Sequence, residues 1–230
     1  MSGMVQPKTS ARSGMSLADK AYSEIRRRIL DNEMPTGTQM LEQELARMLN
    51  MSRTPVHNAL IRLANEGMVE VRPRRGMRVL PISADDMEEI YEILTALEAS
   101  AAAKIAQTGL PDKEMKALRR AVDDMERTLA EDDLVAWARA DERFHDILLK
   151  ASRNRRLREL VSQFWDQTYR VRMQTLHLRP KPTESNRDHL ALVEAIAKGL
   201  PDEAARIHTE HRVRAGRMLV SLIRGIHMNT

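Results

Sequence analysis

Cysteine is absent from this chain of 230 residues, which excludes disulfide bonds, thiolate metal ligands and a cysteine nucleophile. A chain without cysteine is easiest to reconcile with the cytoplasm, where disulfides are rare. No apolar run approaches the roughly 18–20 residues that a membrane span requires, and the first fifteen residues lack the apolar core of a signal peptide. We therefore expect a cytoplasmic protein that does not contact membranes, with a disordered tail over residues 1–15.

Aromatic residues are scarce, at 3%, whereas hydrophobic residues make up 42% and charged residues 30%. This composition is typical of a helix-rich globular protein, in which the 15 methionines can fill gaps between helices. The net charge of +4 is unevenly distributed. Residues 1–80 hold 13 lysines and arginines against 8 acidic residues, while residues 81–230 hold 24 against 25. The basic excess indicates that a module binding a polyanion lies in the N-terminal third.

Three short helices are predicted in that third. Apolar residues recur at helical spacing over residues 17–30, and Ser16 can form a capping box with Asp19 at the start of this helix. Leucines on one face predict a second helix over residues 42–49. After a tight turn, Ser52 is placed to cap a third helix.

A basic hairpin is predicted after the third helix. Two alternating segments, residues 68–71 and 77–80, are joined by the turn Arg72-Pro73-Arg74-Arg75-Gly76. Three helices and a hairpin in this order, with a short turn between the second and third helices, are typical of a winged helix-turn-helix. We assign residues 16–81 to this DNA-binding domain.

The third helix and the hairpin tip supply the candidate contacts with double-stranded DNA. A winged helix-turn-helix places the first residues of its third helix in the major groove and its wing on the minor groove or the backbone. Arg53 can pair with guanine and Asn58 with adenine, although either side chain could instead hold a phosphate or be an ordinary surface residue. Gly76 would let the DNA approach closely. The predicted contacts are Arg53, Thr54, His57, Asn58, Arg74, Arg75 and Gly76.

Residues 17 to about 82 resemble the DNA-binding domain of the GntR family. The resemblance is carried by Leu45-Ala46 and by the run MSRTPVHNALIRLANEGMVEVRPRRGMRV that begins at Met51. It implies a dimeric repressor or activator that binds a short inverted repeat. The family usually has arginine where this chain has His57, and often arginine where it has Gln43. Both positions commonly touch DNA in the family, so Gln43 joins the predicted contacts and the operator sequence is expected to differ.

From residue 82 onward the pattern is helical throughout. The predicted helices span about 84–107, 111–130, 132–151, 154–178, 185–198 and 201–226. The expected fold is therefore mainly α, with an N-terminal winged helix-turn-helix, a small β-hairpin wing, and a C-terminal antiparallel bundle of about six helices over residues 82–230. Such bundles build ligand and metal sites from side chains on facing helices.

One candidate cluster in the bundle begins with Asp141 and His145, which project from the same helix face because they are four residues apart. Alone, such a pair is more typical of an exposed ion pair than of a metal site. His189 and His211 lie in later helices, where a lone histidine is usually a surface residue or a core residue with its hydrogen bonds satisfied.

A second resemblance changes this interpretation. Residues 84–222 resemble the effector domain of the FadR subfamily, through RADERFH at 139–145, ASRNRRL at 151–157, DHL at 188–190 and the segment 204–211. The resemblance implies a divalent metal ion held by Asp141, His145, His189 and His211. Three neutral imidazoles and one carboxylate suit Zn²⁺, our first choice, or Ni²⁺ or Mn²⁺, and leave open positions for water or an effector.

The effector is predicted less sharply than the metal. The subfamily's usual effectors are small organic acids, which could replace metal-bound water. Many relatives, however, carry an arginine where this chain has Leu94, and an arginine there would clamp a carboxylate. Without that arginine, the effector could also be a more apolar molecule. Alternatively, Leu94 simply fills the core. His208 and Glu210 could support the metal ligands or face solvent.

Two other functions stay open at this point. A metal-dependent hydrolase fused to a DNA-binding domain would need a general base beside the metal, and no glutamate stands where the H-E-x-x-H pattern would place one. Alternatively, the bundle of a dimeric DNA binder could be purely structural or sense metal alone. We predict a homodimeric transcriptional regulator, not an enzyme, with repression favoured over activation and with operator affinity modulated by a small-molecule effector.

Overall fold

The computed structural model describes residues 15–228, with side chains through residue 225. Contacts divide the chain into two compact units, with the boundary between Pro81 and Ile82. The tail predicted over residues 1–15 falls, apart from Met15, outside the described residues.

The described part of the first unit contains three helices and a small sheet. Its elements are α1 (Leu17–Leu30), β1 (Gln39–Met40), α2 (Glu42–Met48), α3 (Arg53–Asn65), β2 (Val69–Arg72) and β3 (Gly76–Val79). The predicted winged helix-turn-helix is confirmed, with α2 and α3 joined by a four-residue turn in which Asn50 adopts a positive φ of 51°.

The wing is an antiparallel hairpin of β2 and β3, in which Val69 lies opposite Val79 and Arg72 lies opposite Gly76. The sheet has a third strand that the sequence did not predict: β1 pairs with β3 through Gln39 and Arg78, giving the order β1-β3-β2. A strand of two residues has no alternation to detect, so hydrophobic periodicity misses it.

The helix starts differ in how they are capped. Ser16 Oγ accepts a hydrogen bond from the Asp19 main-chain N–H at 3.1 Å, as predicted for α1. Ser52 occupies the N-cap position of α3, also as predicted, but its side chain makes no capping hydrogen bond. Pro55 fits the first turn of α3 because the N–H that it lacks would have no helical partner there.

Apolar side chains from every helix of the first unit and from the hairpin form one core. Burial of these side chains, rather than intrinsic helix propensity, stabilises helices as short as α2. The core residues include Ala21, Ile25, Ile29, Leu45, Val56, Leu60, Leu63, Met68, Met77 and Val79.

The second unit is the predicted bundle of six helices. They are α4 (Ala84–Thr108), α5 (Asp112–Ala130), α6 (Leu134–Ala151), α7 (Arg155–Gln174), α8 (Thr183–Ala197) and α9 (Pro201–Met228). The helix predicted over 154–178 is shorter in the structure, because α7 ends at Gln174 and a 3-10 turn, Leu176–Leu178, follows. The segment then leaves the helical path before Pro180, as the residue preceding a proline disfavours the helical conformation.

The long helices α4 and α9 pack closely against each other. Gly216 of α9 permits this approach, because a Cβ atom there would lie 2.8 Å from Tyr91 Cδ1 on α4. Leu94 is 3% exposed and belongs to an apolar cluster with Met87 and Leu219. Leu94 therefore fills the core, which was one of the two roles open to it.

Candidate DNA-binding surface and metal centre

The exposed face of α3 carries the residues predicted to read DNA. Arg53, Thr54, His57 and Asn58 are all exposed, whereas Pro55, Val56, Ala59 and Leu60 are buried. The alternation follows from the 3.6-residue period of the helix, which turns one face into the core and leaves the other to solvent.

Two hydrogen bonds connect that face to α2. Arg53 Nη2 donates to Gln43 Oε1 at 2.8 Å, and His57 Nδ1 lies 2.9 Å from Glu42 Oε1. The Gln43 amide orients the Arg53 guanidinium without neutralising its charge, because an amide oxygen accepts a hydrogen bond but carries no net charge. Arg53 thus keeps the positive charge that attraction to DNA requires.

The wing presents two arginines at its tip. Arg74 and Arg75 are exposed, and the turn closes with a hydrogen bond from Arg75 N to Arg72 O at 3.0 Å. Gly76 lies differently: it is buried, with a φ of +75°, and a Cβ atom there would lie 2.1 Å from Met40 O. The close approach that Gly76 permits in the structure is therefore to β1 of its own chain, and its contact with DNA stays a prediction.

The bundle brings the four predicted metal ligands together. Asp141 and His145 lie on α6, His189 on α8 and His211 on α9, all of them buried. One donor atom from each lies within 4.8 Å of the others. Within the cluster, His145 Nε2 lies 3.3 Å from His189 Nε2, and His189 Nε2 lies 3.4 Å from Asp141 Oδ1. We refer to these four residues as the four-donor site.

Outer contacts orient the imidazoles. His189 Nδ1 lies 2.6 Å from the Ser185 carbonyl oxygen, and His211 Nδ1 lies 3.1 Å from Asp188 Oδ2. Both partners can only accept, so each ring carries its proton on Nδ1 and keeps a lone pair on Nε2. Histidines that ligate metals are usually held in this way.

His145 is held by a carboxylate that the sequence analysis missed. Its Nδ1 lies 3.1 Å from Glu98 Oε2, although not at the angle of a well-formed hydrogen bond. A proton on Nδ1 is favoured beside a carboxylate, which leaves a lone pair on Nε2 here as well. The Nε2 lone pairs of His145 and His189 then face each other near the Asp141 carboxylate. A cation between them would relieve their repulsion, so the donor set fits a metal ion.

Burial keeps the three imidazoles neutral, as a metal ligand must be. Burial lowers the pKa of His145 to about 3, with a smaller contribution from the neighbouring Arg212 cation. Burial also lowers the pKa of His189 to about 3, with a smaller contribution from the His211 imidazole. Burial likewise lowers the pKa of His211 to about 4, against the opposing effect of Asp188.

Asp141 is charged despite its burial. Burial by itself would raise the pKa of its carboxyl, but the Arg172 guanidinium, which contacts Asp141 Oδ2, outweighs that effect and holds the pKa below its ordinary range. The four-donor site therefore offers one anionic and three neutral ligands.

A second buried cluster adjoins the first through His145. Glu98 accepts hydrogen bonds from Arg212 Nε at 3.0 Å and lies 2.9 Å from His208 Nε2. Burial would raise the pKa of Glu98, but Arg212 and then His145 outweigh it and hold the pKa well below the usual value. His208 thus supports His145 indirectly, through Glu98, whereas Glu210 is exposed and pairs with Arg206 at 2.8 Å. The one sequence signal for Glu98 is a single carboxylate within the alanine-rich segment ALEASAAAK.

A cavity of about 320 Å³ opens beside the four-donor site. Asp141, His145 and His211 line it, together with Trp137 and Tyr91. Its volume lies at the lower end of the range for small-molecule sites, so it suits a small ligand.

A basic winged helix-turn-helix, followed by a separate helical unit with buried metal-type donors beside a cavity, defines a class of protein: a DNA-binding transcriptional regulator with a second, helical unit. Among the described residues, no helix is both long and apolar enough to cross a membrane.

Comparison with known proteins makes the assignment specific. Residues 17–79 match the gntR family of bacterial regulatory proteins, and residues 89–214, more than half of the chain, match the FCD domain. The chain belongs to the gntR family and carries an FCD domain, so the predicted family is confirmed. The matched families and relatives are transcriptional regulators, not enzymes.

Individual relatives support the assignment. An HTH-type transcriptional regulator in the TAR-I ttuE-ttuC' intergenic region of Agrobacterium vitis is 45% identical over 131 residues, which cover 56% of this chain and 77% of that protein. The HTH-type transcriptional repressor RspR of Escherichia coli is 27% identical over 191 residues, or 83% of each chain. The solved structure of E. coli McbR/YncC shares the fold with a TM-score of 0.76 and 20% identity, covering 91% of this chain and 99% of that one.

Proposed function

We propose that this regulator binds an inverted-repeat operator as a homodimer and represses transcription, and that a small organic acid bound beside a metal ion changes its affinity for the operator. The observation that carries the proposal is the four-donor site, whose buried donors lie within 4.8 Å of one another at the edge of a cavity. The name of the relative RspR, a repressor, favours repression over activation.

The chemistry of the donors supports a first-row divalent ion. Three imidazoles and one carboxylate suit Zn²⁺, with Ni²⁺ or Mn²⁺ as alternatives whose choice depends on availability. When bound, the ion supplies Lewis-acid positions for an oxygen ligand. Three of the four donor residues line the cavity, so an effector in the cavity would meet the metal directly.

The proposed response follows from the geometry of operator binding. The two recognition helices of a dimer must lie about one turn of DNA apart, so a small change in their spacing weakens binding. An effector can cause such a change only if it binds one state of the dimer more tightly than the other. Helix α4, which begins soon after the boundary between the two units, carries both Tyr91 of the cavity and Glu98, which contacts His145. A ligand in the cavity and a metal at the four-donor site would therefore both act on this one helix.

Metal content tests the sensor half of this proposal. Purified full-length protein should contain about one divalent ion per chain, and His189→Ala should lose it. His177→Ala is the matched control, because His177 is exposed and lies outside the four-donor site. His189→Gln, checked for folding by circular dichroism, guards against a simple folding defect. Wild-type protein that is free of metal yet fully active on DNA would show instead that the bundle is structural.

Measurements of operator affinity test the DNA-binding part of this proposal. Duplex fragments selected from a randomised pool should bind specifically, and Arg53→Ala should abolish that specificity, since a bidentate arginine contact is worth about 1–3 kcal/mol of base discrimination. Arg206→Ala, which removes an exposed arginine of the second unit, should bind as the wild type does. If Arg53→Ala retained specific binding in a gel-shift titration, the role assigned to Arg53 would be wrong. If no bound acid changed the operator affinity of the wild type, the sensing proposal would be wrong.

A further inference from the structure

Among the residues that the structure describes, five cationic side chains line the cavity beside the four-donor site, and four of them already have a carboxylate partner. The pairs are Arg172 with Asp141, Arg212 with Glu98, Arg214 with Asp188, and Lys181 with Asp132. Those four charges are therefore balanced within the protein itself.

Arg179 is the fifth cation, and its guanidinium is only partly satisfied. Its Nη2 donates to the Arg172 carbonyl oxygen at 2.8 Å, but its Nε is buried without a hydrogen-bond partner. No carboxylate within the described part of the chain forms an ion pair with it. Burial and the nearby Arg172 charge lower the pKa of Arg179 to about 10. Because Arg179 lines the cavity and has no carboxylate partner among the described residues, its guanidinium favours an anion supplied from outside the chain.

The main chain around Arg179 restricts the positions that its guanidinium group can occupy. Arg179 follows the 3-10 turn and adopts an extended conformation, with φ −90° and ψ 149°, immediately before Pro180. Pro180 and Pro182 restrict the backbone on its C-terminal side. The segment therefore presents Arg179 to the cavity from a restricted backbone.

We propose that Arg179 binds one carboxylate of the effector while a second carboxylate of the same molecule faces the four-donor site, so that the effector is a small dicarboxylic acid. This inference rests on the proposed function, because the second carboxylate requires the metal. Arg179 takes the role that Leu94 on α4 cannot play, since Leu94 is buried in the apolar core.

Two cationic positions on the cavity, the proposed metal ion and Arg179, favour two carboxylates over one. Arg172 contacts both positions, because its guanidinium pairs with Asp141 while its main-chain carbonyl oxygen accepts the hydrogen bond from Arg179. A single carboxylate at the four-donor site would leave Arg179 without a carboxylate partner. The cavity of about 320 Å³ lies at the lower end of the range for small-molecule sites, which suits an acid of about four to six carbons.

Ligand binding to the metal-loaded full-length protein tests the inference. The ligands are the four-, five- and six-carbon dicarboxylates succinate, glutarate and adipate, each paired with the monocarboxylate of the same length, namely butyrate, valerate and caproate. Trp137 lines the cavity, so its fluorescence reports occupancy alongside calorimetry. At least one dicarboxylate should bind the wild type tenfold or more tightly than its monocarboxylate.

Arg179→Gln should reduce that preference to less than threefold while retaining the bound metal. The control is Lys181→Gln, which removes another cavity-lining charge two residues away, one that is exposed and paired with Asp132. It should keep the preference. Arg179→Lys, which keeps the charge but loses the planar guanidinium, should fall between the two.

The outcomes separate this inference from the proposed function. If metal is bound but no dicarboxylate is preferred by the wild type, or if Arg179→Gln keeps the preference, the role of Arg179 is wrong and the metal site stands. If the wild type binds no metal, the proposed function itself fails and the two-carboxylate arrangement fails with it.

Discussion

Glu98 illustrates how single residues determine the chemistry of the second unit. It is fully buried, yet it is anionic because Arg212 and two histidines surround it. Its contact with His145 Nδ1 sets which ring nitrogen of His145 is left for a metal ion. We therefore regard Glu98 as a positioning residue that acts on the proposed metal through His145.

Replacing Glu98 tests that role. We expect Glu98→Gln to weaken metal affinity by about 10–100-fold, the usual effect of losing a group that orients a metal-ligating histidine. Chelator competition on the folded variant measures the affinity. Glu92→Gln, an exposed change on the same helix, should leave it unaltered. Equal affinities of the two variants would show that Glu98 only balances the charge of Arg212.

Residues of the DNA-binding unit show the same dependence on neighbours. Gln43 replaces an arginine common in the family, and the structure shows it accepting a hydrogen bond from Arg53. Its predicted contact with DNA and its contact with Arg53 are compatible, since the amide NH₂ group is still available to donate. Its effect on operator choice would then act partly through the orientation of Arg53.

At the scale of elements, the packing of α4 on α9 connects the cavity with the four-donor site. Tyr91 and Glu98 lie on α4, while His208, His211 and Arg212 lie on α9. Gly216 lets the two helices approach beside the Tyr91 ring, which is 5% exposed. A small residue at this crossing is therefore needed both for packing and for the shape of the cavity.

Two glycines of α9 provide a matched test of this packing. Gly216→Ala should lower the free energy of unfolding by about 1–3 kcal/mol, because the added methyl group meets the Tyr91 ring at its base, where the side chain has little freedom to move. Gly225→Ala meets nothing within 4 Å and should be neutral or stabilise by up to about 1 kcal/mol, as alanine favours helix. Urea denaturation measures both, and similar values for the two variants would contradict the proposed close approach.

At the scale of the whole molecule, metal binding and folding of the second unit are expected to be coupled. The four donors come from three helices, so an ion bound to them exists only when α6, α8 and α9 are packed together. A ligand that binds the folded state alone stabilises it by mass action.

Chelation should therefore lower the melting temperature. An ion present at about 100 times its dissociation constant contributes about 2.7 kcal/mol, and a unit of this size shifts by about 2–4 °C per kcal/mol, so we expect a decrease of roughly 5–11 °C by calorimetry. His189→Ala should melt at the same temperature with and without chelator. A wild-type protein that is equally insensitive would argue against a folded-state metal site.

Local sequence patterns determined much of the architecture. The helical spacing over residues 17–30, the capping of α1 by Ser16 and the turn at 72–76 were readable without tertiary information, because they depend on hydrogen bonds and periodicities within a few residues. Resemblance to a family, not periodicity, supplied the candidate ligands Asp141, His145, His189 and His211. β1 was missed because two residues show no pattern until β3 lies beside them.

The contacts around the site were decided by the tertiary structure alone. Glu98 meets Arg212 across 114 positions of the sequence, and Arg172 meets Asp141 across 31, so no local pattern relates them. Arg179 has the same local chemistry as its neighbouring arginines, and only the fold shows that its Nε is buried without a partner. Local sequence determines which face of a helix is buried, but the packing of six helices decides which buried charges meet, because that depends on the position of every helix at once.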